Sequence, residues 1–170
     1  MKLKPSKCKL FRRRVKFLGH IVSEEGIETD PAQFESVVTW PVPTTVRDDR
    51  GFLGLCFYYR RFVKDFAEVV APLHALTGKC GRFQCNDECQ VVFDRFKAAL
   101  TSSPILAMQT DGDVYALDTD ASEQSIVAVL SRKQEGEEKV IAYASGTYSR
   151  AEPTRKELQA VVYFMKQFRQ

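Results

Sequence analysis

Apolar and polar positions repeat with two periods along this chain, and the switches between them mark its elements. Val15 to Val22 reads as a strand, Glu24-Glu25-Gly26 as a turn and Ile27 as the start of a second strand, which predicts a β-hairpin. Gly19 inside that strand predicts a bulge or a close backbone approach. The period then lengthens. Asp30-Pro31 starts a helix with Phe34, Val37 and Val38 inward, and Trp40-Pro41-Val42-Pro43 ends it. Thr45, with Asp48 three residues on, caps a longer helix whose buried stripe is Phe52, Leu55, Tyr59, Phe62, Val63 and Phe66. Glu68 to Leu76 predicts a short or kinked helix because of Pro72. Asn86 caps another over Asp87 to Leu100, with Cys89, Val92, Phe93, Phe96 and Leu100 inward.

After Pro104 the period shortens again. Ile105-Leu106-Ala107 is a brief strand, Val114 to Ser122 a longer one, Ile126 to Leu130 a third and Val140 to Ser145 a fourth, with a charged hairpin loop from Lys133 to Lys139. The last three, tightly connected, predict an antiparallel meander. A final helix begins near Thr154 or Arg155, with Leu158, Val161, Val162, Met165 and Phe168 inward and Thr154 to Glu157 as a capping box. The fold class expected is α+β: a β-hairpin, a small helical region, then three antiparallel strands closed by a helix.

Composition narrows the classes. A 44% hydrophobic share is ordinary for a globular protein, and no apolar run approaches the roughly 20 residues that span a membrane. Met1 to Pro5 is basic but no apolar stretch follows, so a secretory signal is not expected. Five scattered cysteines argue against a secreted disulfide framework, and an intracellular, reduced protein is the expectation. The net charge of +3 hides an asymmetry: eight Lys and Arg residues, from Lys2 to Lys16, precede Phe17 with no acid among them. Such a block suits a polyanion or, alternatively, a solvated terminal segment.

Three stretches carry candidate chemistry. Asp118 and Asp120 stand two apart on one strand face, roughly 6–7 Å from each other along the strand. Strands disfavour aspartate and two close carboxylates repel, so the stretch is either a metal site or a strand running into a solvated loop. Tyr58, Arg60 and Arg61 lie off the buried stripe, which fits either a surface that tracks a nucleic-acid backbone or, alternatively, amphipathic packing with a solvated basic face. Cys80, Cys85, Cys89 and His74 lack the Cys-x-x-Cys pair that zinc modules use and are set aside. Asp48 and Asp49 are also set aside, as first-turn acids that offset the helix dipole.

The motifs in their order resemble one family. Phe17-Leu18-Gly19-His20-Ile21-Val22-Ser23 with Gly26, then Trp40-Pro41, Phe52-Leu53-Gly54-Leu55 and Tyr58-Tyr59-Arg60-Arg61-Phe62 resemble the end of the palm and the thumb of a gypsy-class LTR retrotransposon reverse transcriptase. Thr101 to Leu106 resembles the segment leading from its thumb to ribonuclease H. Thr119-Asp120-Ala121-Ser122, Ala128-Val129-Leu130-Ser131, Ile141 to Ser145 and Lys156-Glu157-Leu158 resemble the first half of that ribonuclease H domain. The resemblance implies four regions: the end of the palm with a primer-grip-like hairpin at 1–30, a helical thumb at 31–78, a connection at 79–106 and a partial, truncated ribonuclease H-like domain at 107–170.

The resemblance also implies roles for particular residues. Phe17, Leu18, Gly19 and His20 match the hairpin that grips the primer strand, and Tyr58, Tyr59, Arg60 and Arg61 the thumb helix that lies on the template–primer duplex. Asp120 and Glu157 match two catalytic, metal-binding carboxylates of ribonuclease H, and Asp118 is not in the set. The cofactor implied for the complete parent is Mg²⁺, with none expected to bind tightly to this fragment. The partners implied are an RNA–DNA hybrid or template–primer duplex and the remainder of the Pol polyprotein, in a cytoplasmic particle or the nucleus. Departures accompany the likeness. The polymerase aspartates are missing, two of four ribonuclease H carboxylates are present, Ser125 and Val127 stand where glycines are usual, and Asp49 replaces an apolar residue. The chain is therefore expected to be inactive alone, as a fragment or decayed copy whose sheet has an unpaired edge. The alternative is a non-catalytic nucleic-acid-binding or host-adopted interaction module.

Overall fold

The computed structural model describes residues 8, 10–77, 87–102, 104–122, 125–134, 136–147 and 153–169. The end of the basic block enters a three-stranded antiparallel meander, β1 (Arg14–Phe17), β2 (His20–Ser23) and β3 (Gly26–Thr29). The single strand expected over Val15–Val22 is broken because Leu18 and Gly19 both take positive φ, 47° and 73°. Two such residues make the tight turn whose twist matches paired strands, so Gly19 serves a hairpin rather than a bulge.

Helices follow: α1 (Pro31–Val38), α2 (Val46–Tyr58), α3 (Phe66–Thr77) and α4 (Asp87–Thr101). Asp30 caps α1 by accepting from the Ala32 amide at 3.1 Å, with Pro31 at the first helical position. Thr45 and Asp48 form the reciprocal capping box of α2. α2 stops at Tyr58 instead of running on to Phe66: a 3-10 turn at Arg60–Phe62 and a positive φ at Asp65 redirect the chain. The stripe still enters one core, because Phe52, Tyr59, Phe62, Val63 and Phe66 join Val70, Leu73, Phe93 and Phe96 there. α3 contains Pro72 within its 12 residues, Phe66–Thr77. Val70 and Leu73, both buried on either side of it, anchor the helix against the cost of the missing hydrogen bond. Val38, expected inward, is exposed at the end of α1. Lys97 of α4 closes that end, donating to the Val38 and Trp40 carbonyls at 2.6 and 3.0 Å.

The second half is a meander of β4 (Val114–Ala121), β5 (Ser125–Gln134) and β6 (Glu137–Thr147), all antiparallel, followed by α5 (Pro153–Phe168). A bulge at Leu130/Ser131 shifts the β5–β6 register. α5 covers one face through Ala160 and Phe164, which pack with Ile126, Ala128 and Ala144. Of the face expected to be inward, Leu158, Val162 and Met165 are exposed. α5 has apolar residues on two neighbouring stripes, and the three strands cover one of them. The helix begins at Pro153, so Thr154 lies inside it rather than at its cap.

The returning chain stitches the halves together. Leu106 exchanges backbone hydrogen bonds with Ile27 at 2.7 and 2.8 Å, and the Ala107 amide donates to Val140 at 2.7 Å. Ile105–Ala107 thus makes a single bridge in place of the brief strand. At α3, the Ala67 amide donates to Ser145 Oγ at 2.8 Å and Ser125 Oγ to Glu68 at 2.5 Å.

Candidate nucleic-acid interface and carboxylate site

The β1–β2 turn is held by the end of α2. Tyr58 donates its hydroxyl to the Leu18 carbonyl and Tyr59 to the Gly19 carbonyl, the latter at 3.4 Å. His20 stacks on Tyr58 and Phe62, with ring centroids 5.2 and 5.3 Å away, and meets Tyr59 edge-on. Burial, with a smaller contribution from the nearby Arg61 guanidinium, pushes the His20 pKa down, so the packed ring favours its neutral form. This lock leaves Phe17 and Leu18 exposed at the hairpin tip and Tyr58, Arg60 and Arg61 exposed beside it. Tyr59 is different: at 3% exposure its ring belongs to the helical core and its hydroxyl to the hairpin.

The basic block is not uniformly available. Arg14 pairs with Glu28, and Lys16 with Asp30 at 2.8 Å. The hydrogen bond from Lys16 holds the Asp30 carboxyl below its usual range. Those acids lie on β3 and at the α1 cap, so folding brings charge partners that the linear block lacks. Arg12 and Arg13 remain exposed, while Lys2, Lys4, Lys7 and Lys9 lie outside the described residues. The cysteine cluster set aside as a zinc site also lies largely outside them: Cys80 and Cys85 are not described, nor is the side chain of Cys89.

The carboxylates sit at one end of the second sheet. Leu117 and Ala121 pack with Ala160 and Phe164 of α5. Strand alternation therefore places Asp118 and Asp120 on the opposite face of β4, both exposed. Asp120 pairs in register with Val127 and accepts from the Ala121 amide at 2.9 Å. Glu157 lies three residues before Ala160, on the sheet-facing side of α5, and is exposed. Met165 and Phe168, at the other end of α5, line a cleft with Tyr115 and Leu117. The helix therefore runs so that Glu157 and Asp120 share an end of the sheet, on different faces of β4. Two exposed carboxylates suit part of a Mg²⁺ shell, which takes one or two carboxylates and fills the rest with water and phosphate. Among the described residues no group of three or more His, Cys, Asp or Glu side chains is placed to hold a metal.

Sequence reasoning missed the cross-contacts of Glu68, Ser125 and Ser145, for which no local pattern exists. It also missed the burial of Asp49, although its place in the otherwise apolar α2 stripe was the signal.

A helical bundle locked to a β-hairpin feeds a three-stranded sheet with a covering helix. The family model described as the RNase H-like domain found in reverse transcriptase matches residues 85–170, half of the chain, and the chain belongs to that family. It is 34% identical, over 99% of its length, to the retrovirus-related Pol polyprotein from transposon 412 of Drosophila melanogaster, and 33% identical over 96% to that from transposon gypsy of the same fly. It spans 14% and 17% of the length of those curated relatives. The foamy viral protease-reverse transcriptase solved in complex with RNA/DNA hybrid has the same fold at a TM-score of 0.82, with 23% identity over 95% of this chain and 23% of that one. The resemblance to retrotransposon reverse transcriptases and the α+β expectation both stand. No helix among the described residues is long and apolar enough to cross a membrane.

Proposed function

We propose that this chain binds an RNA–DNA template–primer duplex as the thumb and ribonuclease H-like part of a retrotransposon reverse transcriptase. The observation that carries the reading is the locked hairpin, which presents Phe17 and Leu18 beside Tyr58, Arg60 and Arg61. An exposed aromatic ring next to guanidinium groups supplies stacking and phosphate contacts together. The solved neighbour captured with RNA/DNA hybrid supports the same reading by likeness of fold.

The parent protein carries RNA-directed DNA synthesis and hydrolysis of the RNA strand of hybrids. In this chain Asp120 and Glu157 would hold Mg²⁺. When bound, the ion supplies an activated water and neutralises charge on the scissile phosphate. The chain's own part is to bring two acceptor-only side chains to one end of the sheet and leave them open to solvent, where a duplex reaches them. Two of the four carboxylates of the ribonuclease H pattern lie in these 170 residues, so this stretch by itself does not cleave.

Titration with an RNA–DNA hybrid across a range of salt concentrations tests the binding claim. Affinity should fall linearly in a log–log plot as salt rises; a flat response overturns the reading and leaves the interaction-module alternative. Cleavage of the hybrid with Mg²⁺, abolished by Asp120→Asn, would refute the claim that this stretch is inactive alone.

A further inference from the structure

The 3-10 turn Arg60–Phe62 lies against β6, and α5, which packs over β4 and β5, reaches the same strand at Ala144 and Gly146. An open cleft of about 470 Å³ lies between them, with Phe57 and Phe66 as its apolar wall and Arg60, Lys166, Ser145 and Tyr163 as its polar lining. It continues past Arg60 and Gln167 into a second cleft of about 450 Å³, which adds Arg61 and Tyr143. Neither is lined by an aspartate or glutamate among the described residues.

Arg60 and Lys166 face the first cleft from the helical half and from α5, Arg61 lines the second, and among the described residues no carboxylate pairs with any of them. Ser145 Oγ already accepts the Ala67 amide proton, so its own hydrogen is available to a ligand. Tyr163 is held over β6, because a side chain at Gly146 would lie 3.6 Å from its ring. Lys166 has a structural reason to be in the last turn of α5, where a cation offsets the helix dipole. That reason does not account for Arg60 facing the same acid-free space from another element, with Arg61 in the adjoining cleft.

We propose that this cleft is a second phosphate site, in which Arg60 and Lys166 hold one backbone phosphate of the bound nucleic acid while Ser145 and Tyr163 donate hydrogen bonds to it. The inference rests on the nucleic-acid reading above and extends it, from the hairpin and thumb surface to the junction with the second sheet. A strand bound there would touch both halves at once.

The test compares Lys166→Gln with Lys133→Gln, which removes the same charge from the exposed β5–β6 hairpin. The probe is a short RNA–DNA hybrid, titrated at several salt concentrations, with circular dichroism to confirm that each variant is folded. Lys166→Gln should reduce the salt slope by about one, the signature of one lost phosphate contact, and Lys166→Arg should restore it. Lys133→Gln should leave the slope alone. Equal slopes for Lys166→Gln and wild type, or equal losses in both glutamine variants, overturn the cleft assignment while leaving duplex binding in place. A flat response from the wild type removes duplex binding itself.

Discussion

Replacing Asp49 with alanine should stabilise this protein. Asp49 is the fourth residue of α2, is fully buried, and has no hydrogen-bond partner for either carboxylate oxygen among the described residues. It shares α2 with Phe52, Leu53 and Cys56, all buried in the same core. Burial pushes its pKa up, and His74 opposes the shift only in part. An unpartnered polar group in such a place costs about 1–3 kcal/mol. Alanine removes that cost and adds about 0.5 kcal/mol of helix propensity. The void left is about one water's volume, ~30 Å³, and costs about 0.7 kcal/mol at ~24 cal/mol per Å³. The net gain is about 1–3 kcal/mol at neutral pH, or roughly 3–9 °C in melting temperature for a chain of this size.

Trp40 is the single tryptophan and packs on Phe52 at 6.3 Å, so its fluorescence reports on the helical core that holds Asp49. The pH dependence follows from the direction of the shift. The folded state keeps the Asp49 proton to a higher pH than the unfolded chain, which releases it near the ordinary 3.8. The Asp49 contribution to wild-type stability therefore declines as pH rises from 3.8 through the raised folded value, then levels off. Asp49→Ala lacks this decline, so its advantage should be larger at pH ~7 than at pH ~4. Asp30 and Asp48 shift the other way but are common to both proteins and cancel in the difference. A melting temperature that falls or stays put at neutral pH, or an advantage equal at both pH values, would refute the reasoning.

Other changes should act through backbone and caps. A Cβ on Gly26 would sit 2.2 Å from the Leu106 carbonyl oxygen, at a φ of +141°; Gly26→Ala should cost about 2–4 kcal/mol through strain and loss of the Ile27–Leu106 bridge, read as a lower urea midpoint. Thr45→Ala removes the capping box of α2 and should cost about 1 kcal/mol in the same assay. For His20 the sign is opposite to that of Asp49. Its folded pKa lies below the ordinary 6.5, so its contribution is complete above 6.5 and is lost as pH falls through that value toward the folded one. NMR titration of the ring should show a midpoint below 6.5, and His20→Phe should flatten the stability profile in that window.

Legibility in the sequence followed the range of the physics. Caps are local, and Asp30-Pro31 and Thr45 to Asp48 form as their residue types require. Period identified the strands of the second sheet, though β5 and β6 extend beyond their apolar runs to Gln134 and from Glu137, because paired backbones continue into a charged hairpin. Period failed on α5, where two apolar stripes compete and only the sheet decides which is covered. It failed at Leu18, since a leucine at positive φ carries no signal of its own and only the pairing of β1 with β2 demands it. Charge was the least legible property: the block preceding Phe17 has no acid in it, yet Glu28 and Asp30 fold back onto Arg14 and Lys16.

The same distinction separates the two candidate sites. A nucleic-acid surface needs exposed cations and an exposed ring, and one locked hairpin with one helix end provides both within this chain. A two-metal site needs several carboxylates converging from different elements, and here Asp120 on β4 and Glu157 on α5 lie toward one end of the sheet, with Asp120 on the face of β4 away from α5. Binding is therefore the activity expected of these 170 residues, and hydrolysis is not. Charge removal at Arg61 and amide substitution at Asp120 separate the two: Arg61→Gln should weaken hybrid binding and lower its salt slope by about one. Asp120→Asn should leave binding intact or slightly improved, because it removes a negative charge from a surface that meets phosphate. Loss of binding in Asp120→Asn would place the duplex's main contacts at the carboxylate end of the sheet and not at the hairpin.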